Sequence, residues 1–172
     1  MTDRTMRQLI QVIDRAYLTE GDVVGFPGNP RPRDPIAVAR GGASVHRLPS
    51  RKTLDAFTQA YITAALWSSR DDDDRSLVDQ YGVSDIHTET LEKIVRDCQR
   101  FRTQCAELLE QAEDQHGLTE QQAGHEFWLT RNRHGVGFWD RKMGRLGDAL
   151  TQAAHSFGEC DLYVSGGVIY SD

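Results

Sequence analysis

The residues best suited to chemistry lie between His125 and Arg141, in HEFWLTRNRHGVGFWDR. Two of the chain's three tryptophans, two of its six histidines and three arginines stand in these positions, with an acid near each end. Histidine titrates near neutrality and can act as acid, base or metal ligand, and a neighbouring carboxylate orients its ring. His125, His134 and Asp140 therefore form the candidate catalytic set of a small hydrolase or nuclease-like enzyme. Gly135 and Gly137 permit a tight turn between them. The usual companions of such a set are missing. There is no G-x-S-x-G nucleophile and no C-x-x-C, and Glu126 is followed by Phe127, Trp128 and Leu129, so H-E-x-x-H fails. A zinc site from His125, His134 and Cys160 is the weaker metal version. Neither metal nor cofactor is expected.

The same segment reads more readily as a binding surface or as core. Trp128, Arg131, Arg133, His134, Trp139 and Arg141 are of the types that anchor protein interfaces. Through Arg131, Arg133, Arg141 and Trp139 it would also suit a nucleic-acid-binding module. The structural alternative places Phe127, Leu129, Phe138 and one tryptophan in the core, where large aromatics dominate the energetics. Asp140 would then cap the following helix or pair with Arg131. A second candidate is the run Asp71, Asp72, Asp73, Asp74. Four like charges repel and favour a solvated loop. They lack the spaced ligands and turn glycine of a calcium loop.

Charge separates the chain into two parts. Residues 1–52 carry nine basic and five acidic residues, a balance of +4, and residues 53–172 carry eleven and twenty-one, a balance of −10. The whole chain is at −6, which disfavours direct nucleic-acid binding. The stretch 125–145 is a local basic island within the acidic part. At 172 residues, with 38% hydrophobic and 27% charged residues, the chain has the size and balance of a globular domain. The expected division is an N-terminal helix with a Pro/Gly-rich loop over 1–52, and an acidic helical domain with a C-terminal hairpin over 53–172. No apolar run approaches the ~20 residues that span a bilayer. The N-terminus has acids and no uninterrupted apolar core, unlike a signal peptide, so a cytosolic protein is expected. The three cysteines form no disulfide framework: Cys98 and Cys105 on one helix stand about 10 Å apart.

The elements that must position these residues follow from spacing. Met6, Leu9, Ile10, Ile13 and Tyr17 predict a helix over 5–17. Four of the five prolines follow in GDVVGFPGNPRPRDP, which makes 18–50 a long loop. Leu54, Phe57, Tyr61 and Ala65 predict a helix over 53–68. Leu91, Ile94, Val95, Cys98, Phe101, Cys105, Leu108, Leu109 and Ala112 predict a long amphipathic helix over about 89–115, ended by Gly117. Thr119 with Gln122 has the form of a capping box, so a short helix should run from 120 to about 131. The competing arrangement is a strand pair, EFWLTR and VGFWD, around an NRHG turn. Leu146, Leu150, Ala153, Ala154 and Phe157 predict a helix over 144–157 that stops at Gly158. CDLYV and VIY around Ser-Gly-Gly predict a β-hairpin. The expected fold is α-dominant α+β: about five helices packed around the long 89–115 helix, with a C-terminal hairpin.

Three blocks, AYITAALWSS, AGHEFWLTRNRHGVGFWDR and LGDALTQAAHSFGECDLYVSGGVIY, carry a resemblance. Over about residues 54–170 the chain resembles a family of small accessory proteins of tailed bacteriophages and prophages. It departs from the family's usual form at Glu126, where aspartate is more typical, and at Arg133, where glycine is. The family brings no established activity, so no catalytic residue is carried over. The resemblance implies a context: an accessory protein of a phage or mobile element, in the bacterial host cytosol, that binds and blocks a host factor. That partner would be a host protein or protein–nucleic-acid complex, such as a CRISPR complex or a restriction nuclease.

Overall fold

A computed structural model describes residues 54–172. The helix expected over 5–17 and the proline-rich loop over 18–50 lie outside the described residues. The described chain is α-dominant α+β, with five α-helices and a C-terminal antiparallel hairpin.

Helix α1, Ala56–Ser68, starts where Asp55 accepts the Thr58 amide at 2.9 Å, satisfying a donor that the first turn leaves free. Its sequence, AFTQAYITAALWS, is apolar on nearly every side. Such a helix must be enclosed rather than half-covered, and eight of its residues are buried. Its partner is α4, Glu120–Arg131, whose residues 123–131 are all buried. Gly124 sets how closely the two approach: a Cβ there would lie 2.2 Å from the Phe57 carbonyl oxygen and 3.1 Å from Ala60 Cβ. The expected capping box starts α4, with Thr119 Oγ1 accepting the Gln122 amide at 3.2 Å and Gln122 Oε1 accepting the Thr119 amide at 3.1 Å. The alternative strand pair is not formed.

The stripe expected over 89–115 is present but bent into two helices. Helix α2, Thr88–Gln104, buries Leu91, Ile94, Cys98 and Phe101 against the α1–α4 pair. At Cys105 the backbone leaves helical geometry (φ −109°, ψ 17°), and α3, Ala106–His116, follows. One turn before the bend, the Thr103 hydroxyl donates to the Gln99 carbonyl at 2.9 Å, a side-chain contact that bends helices. Beyond it only Ala112 of α3 is buried. Gly117 (φ 66°) closes α3 as Leu118 donates back to the Ala112 carbonyl, a left-handed termination that favours glycine.

A 3-10 turn, Phe138–Arg141, leads to α5, Arg145–His155. Strands β1, Leu162–Ser165, and β2, Val168–Ser171, pair in antiparallel register with Tyr163 opposite Tyr170 and Val164 opposite Ile169. The turn is Gly166–Gly167 (φ 58° and 80°), the two-residue loop whose twist matches the strands. Ser165 is paired to Val168 rather than part of the turn. Ile86 bridges to Ile169, the His87 amide donates to the Ile169 carbonyl at 2.8 Å, and Thr90 Oγ1 accepts the Ser171 amide at 3.1 Å. The β2 edge is thereby covered and the hairpin is held on the start of α2. All three cysteines are free and buried.

Candidate functional site

Helix α4 carries the first half of the 125–141 segment into the interior. Arg131, at its end, is 2% exposed. Each of its three guanidinium nitrogens donates. Nε donates to the Gly158 carbonyl at 2.8 Å, and Nη2 to the Phe157 carbonyl at 3.0 Å. Nη1 donates to the Tyr61 hydroxyl at 2.9 Å and to Asp97 Oδ2 at 3.0 Å. The guanidinium also lies 5.7 Å from the Phe127 ring centroid and 5.9 Å from that of Phe157. It thus joins α1, α2 and α4 and satisfies carbonyls in the turn after α5. Burial pushes the Tyr61 phenol pKa up, against the pull of Arg131. Arg131 was expected on a binding surface and is a core tie; a planar fork with several fixed donors suits that position as no other side chain does. Its carboxylate is Asp97, not Asp140.

Trp128 was expected at the same surface and is also buried, 2% exposed, its indole donating to Ser68 Oγ at 2.7 Å. Its edge meets the Tyr61 ring at 5.2 Å. Phe101 and Phe127 stack at 4.0 Å, and Phe138 and Phe157 complete an aromatic cluster around them. The core reading therefore holds for Phe127, Trp128, Leu129 and Phe138, all at 2% exposure or less.

The returning segment lies along α4. Thr130 Oγ1 accepts the Phe138 amide at 3.1 Å, and four residues earlier Glu126 Oε1 pairs with Arg141 Nε at 2.7 Å. Glu126 is 2% exposed, so Arg141 is tied to the interior rather than offered outward. Gly137 is required here: a Cβ would sit 2.2 Å from the Trp139 ring and 2.5 Å from Thr130 Oγ1.

The histidines do not form an open catalytic set. His125 is 1% exposed, within α4. His134 is half-buried in the turn after α4, its amide donating to the Leu129 carbonyl at 3.0 Å. Burial lowers its pKa, with Asp161 pulling the other way. Asp140 is half-buried in the 3-10 turn. Among the described residues no three His, Cys, Asp or Glu side chains gather as a metal site, so His125, His134 and Cys160 do not meet as a zinc set. Burial also pushes the Cys160 thiol up, opposing the thiolate that zinc requires.

Two of the predicted binding residues in the segment, Trp139 and Arg133, face solvent. Trp139 is 40% exposed. Arg133 pairs with Glu159 at 3.1 Å, both more than half exposed, an ion pair of little energetic weight. Arg133 has φ 54°, a left-handed conformation that ordinarily favours glycine.

The aspartate run forms a self-bonded loop. Asp71 Oδ1 accepts the amides of Asp73 (3.0 Å) and Arg75 (2.9 Å), and Oδ2 accepts from Arg75 Nε (3.0 Å) and Gln80 (2.8 Å). The Arg75 amide and these further donors lower its pKa to about 2. Arg75 also reaches Asp73 at 2.6 Å, and Arg70 reaches Asp74 at 3.4 Å. Asp72, Asp73 and Asp74 are exposed, but two arginines offset the run and Asp71 organises the loop. The acids of α3, Glu107, Glu110, Glu113 and Asp114, are exposed as well. Arg102 binds Asp55 at 3.4 Å and Glu120 at 2.6 Å, so α3 leaves from and returns to the first end of α1. The aspartate loop follows the last, about 20 Å away along its 13 residues. The two acidic groups therefore lie near opposite ends of α1.

Sequence reasoning missed two features. Asp97 carries the Arg131 pair from a position that resembles any outward acid of an amphipathic helix. Tyr163, 50% exposed, stacks on Tyr170 at 5.7 Å, and Tyr170 stacks on His87 at 4.8 Å. The Tyr163–Tyr170 pairing follows once Gly-Gly is taken as the turn; His87 comes from a distant loop and leaves no local signal.

No family model, no curated protein and no solved structure matches this chain. Among the described residues no helix is long and apolar enough to cross a membrane.

Proposed function

We propose that this chain is a non-enzymatic accessory protein of a phage or mobile element that docks on a host factor and blocks it. One observation carries the reading. In a segment whose other large aromatics are 2% exposed or less, Trp139 is left 40% exposed. Trp139 packs part of its ring over Gly137 and leaves the rest open to solvent, and an exposed indole is a strong interface anchor. The candidate enzyme set is not open as a group: His125 is closed off inside α4, while His134 and Asp140 are half-buried in the turns that follow. Of the arginines that a nucleic-acid module would need, Arg131 and Arg141 are bonded internally to Asp97 and Glu126, and Arg133 is paired with Glu159 at the surface. The −10 balance after residue 52 favours a partner with a basic face, as on a CRISPR complex or a restriction nuclease, and the phage resemblance of residues 54–170 supplies the biological context.

The test begins with affinity capture from host lysate and mass-spectrometric identification of the partner. Association with that partner is then measured for Trp139→Ala and for Asp72→Lys. Anchoring by Trp139 requires that the first variant lose at least about tenfold in affinity. The second should change the on-rate only slightly, since arginines already offset the loop. Loss in Asp72→Lys alone would replace anchoring with acidic mimicry. Failure of any host protein to bind would remove the reading and return attention to hydrolysis by the His134 region.

A further inference from the structure

The outer face of the C-terminal hairpin holds a row of rings with one end open. His87 stacks on Tyr170 at 4.8 Å with 27° between planes, and Tyr170 stacks on Tyr163 at 5.7 Å with 22°. His87 closes the row on the side where Ile86 and His87 cover β2. On the other side lies β1. Among the described residues no further ring or guanidinium rests on Tyr163, which is 50% exposed. The pairing continues beyond β1, where the Asp172 amide donates to the Asp161 carbonyl at 3.4 Å. Asp161 therefore lies on the same face as Tyr163, two residues away, about 7 Å along the strand. It is exposed. Lys93 reaches the main-chain oxygen of Asp172, not the Asp161 carboxylate.

We propose that Tyr163 and Asp161 form a docking site for an arginine side chain on a basic protein partner. The site deepens the protein-binding reading above and rests on it for the biological partner. A planar guanidinium extends a stack of rings on the free face of Tyr163, and its remaining N–H groups reach a carboxylate one strand step away. Arginine fits this pair of features better than lysine, whose ammonium is compact, strongly hydrated and cannot stack. A nucleic acid would also stack on tyrosine, but its phosphates would meet Asp161 and a domain carrying a balance of −10. The charge complementarity thus selects a basic protein surface.

The probe is a fluorescein-labelled nona-arginine peptide, titrated by anisotropy against the full chain at about 150 mM salt, with nona-lysine as its partner probe. Nona-arginine should bind several-fold more tightly than nona-lysine. Tyr163→Ala and Asp161→Asn should each weaken nona-arginine by about five- to tenfold. Tyr163→Phe, which keeps the ring, should bind as wild type. Glu110→Gln and Asp72→Asn, which remove acids elsewhere, should change affinity less than about twofold. Both site positions are exposed, and a thermal melt of each variant checks that it folds. Equal affinity for the two peptides, or equal losses across all four charge and ring variants, would reduce the site to diffuse attraction and overturn the proposal. Tyr163-dependent binding of an oligothymidylate in preference to nona-arginine would overturn it in favour of single-strand stacking. The assay needs no host protein. Nona-arginine binding at Tyr163 with no host partner found would sink the blocker reading and leave the site standing; a captured partner indifferent to Tyr163→Ala would do the reverse.

Discussion

Arg131 Nη1 lies 3.0 Å from Asp97 Oδ2, and this pair binds the end of α4 to the middle of α2 across the aromatic core. The same nitrogen holds the Tyr61 hydroxyl of α1, so one guanidinium fixes three helices relative to one another. Arg131→Ala leaves Tyr61 Oη, Asp97 and two carbonyls facing a vacated space. Breaking a buried pair by removing one partner costs about 3–5 kcal/mol, a large share of the stability of a domain this size. The expected result in a denaturant melt is a loss in that range, with Arg131→Lys also impaired because an ammonium cannot serve the four acceptors at once. A loss below about 1 kcal/mol would mean that Arg131 is free to act at the surface.

The aromatic cluster predicts a second large effect. Phe101 is 0% exposed and touches Phe57, Phe127, Phe138 and Phe157. Truncation to alanine removes those contacts and leaves a cavity that its stacked neighbours, themselves locked, cannot fill. Phe101→Ala should cost about 3–5 kcal/mol. Chemical denaturation with unchanged slope and a lowered midpoint is the signature to look for. A midpoint near that of the wild type would place the α2 stripe against solvent.

Much of the fold was legible in the sequence because its signals are local. The Thr119–Gln122 box, Gly117 after α3, and the Gly-Gly turn each act within a few residues, and the α2 stripe repeats with the helical period. The bend at Cys105 was not legible. The stripe continues through it, and the Thr103 back-bond that accompanies it uses a residue type that also occurs on straight helices. The site was less legible still. Residue type alone puts tryptophan and arginine at interfaces and in cores alike, and what decided between them was a partner far away in sequence: Asp97 for Arg131, Ser68 for Trp128, Glu126 across the turn for Arg141. The aspartate run illustrates the converse. Its charge was plain, but the use of Asp71 as the loop's own acceptor depends on the chain closing on Arg75 and Gln80.

That closure gives the loop an acid sensitivity. The Asp71 pKa is lowered to about 2, against about 3.9 in an unfolded chain. Between these values the unfolded state binds more protons, so stability rises with pH there. The contribution of Asp71 is complete above about 4 and disappears as pH falls through about 2. Amide exchange at Asp73 and Arg75, whose N–H groups donate to Asp71, should quicken as pH drops across this window beyond the intrinsic trend. Asp71→Asn should show that faster exchange already at neutral pH. Identical protection in the variant at every pH would show that the loop is held by its backbone alone.

The turn after α4 offers the last test. Arg133 adopts φ 54°, a conformation that costs a residue with a Cβ about 1–2 kcal/mol, and its ion pair with Glu159 is exposed on both sides and returns at most about 1 kcal/mol. Glycine adopts the conformation without that cost, at the price of about 0.4–1 kcal/mol of extra freedom in the unfolded chain. The balance favours glycine slightly, so Arg133→Gly should leave stability unchanged or raise it by up to about 1 kcal/mol. Most substitutions to glycine lower stability, which makes the sign of this one informative. Arg133→Ala separates the two contributions: it loses the ion pair and keeps the strained backbone, so it should be less stable than Arg133→Gly. Melts of the three proteins side by side decide the matter. If alanine equals or exceeds glycine, the left-handed turn carries no strain, and the arginine at this position must be held by its contact with Glu159 instead.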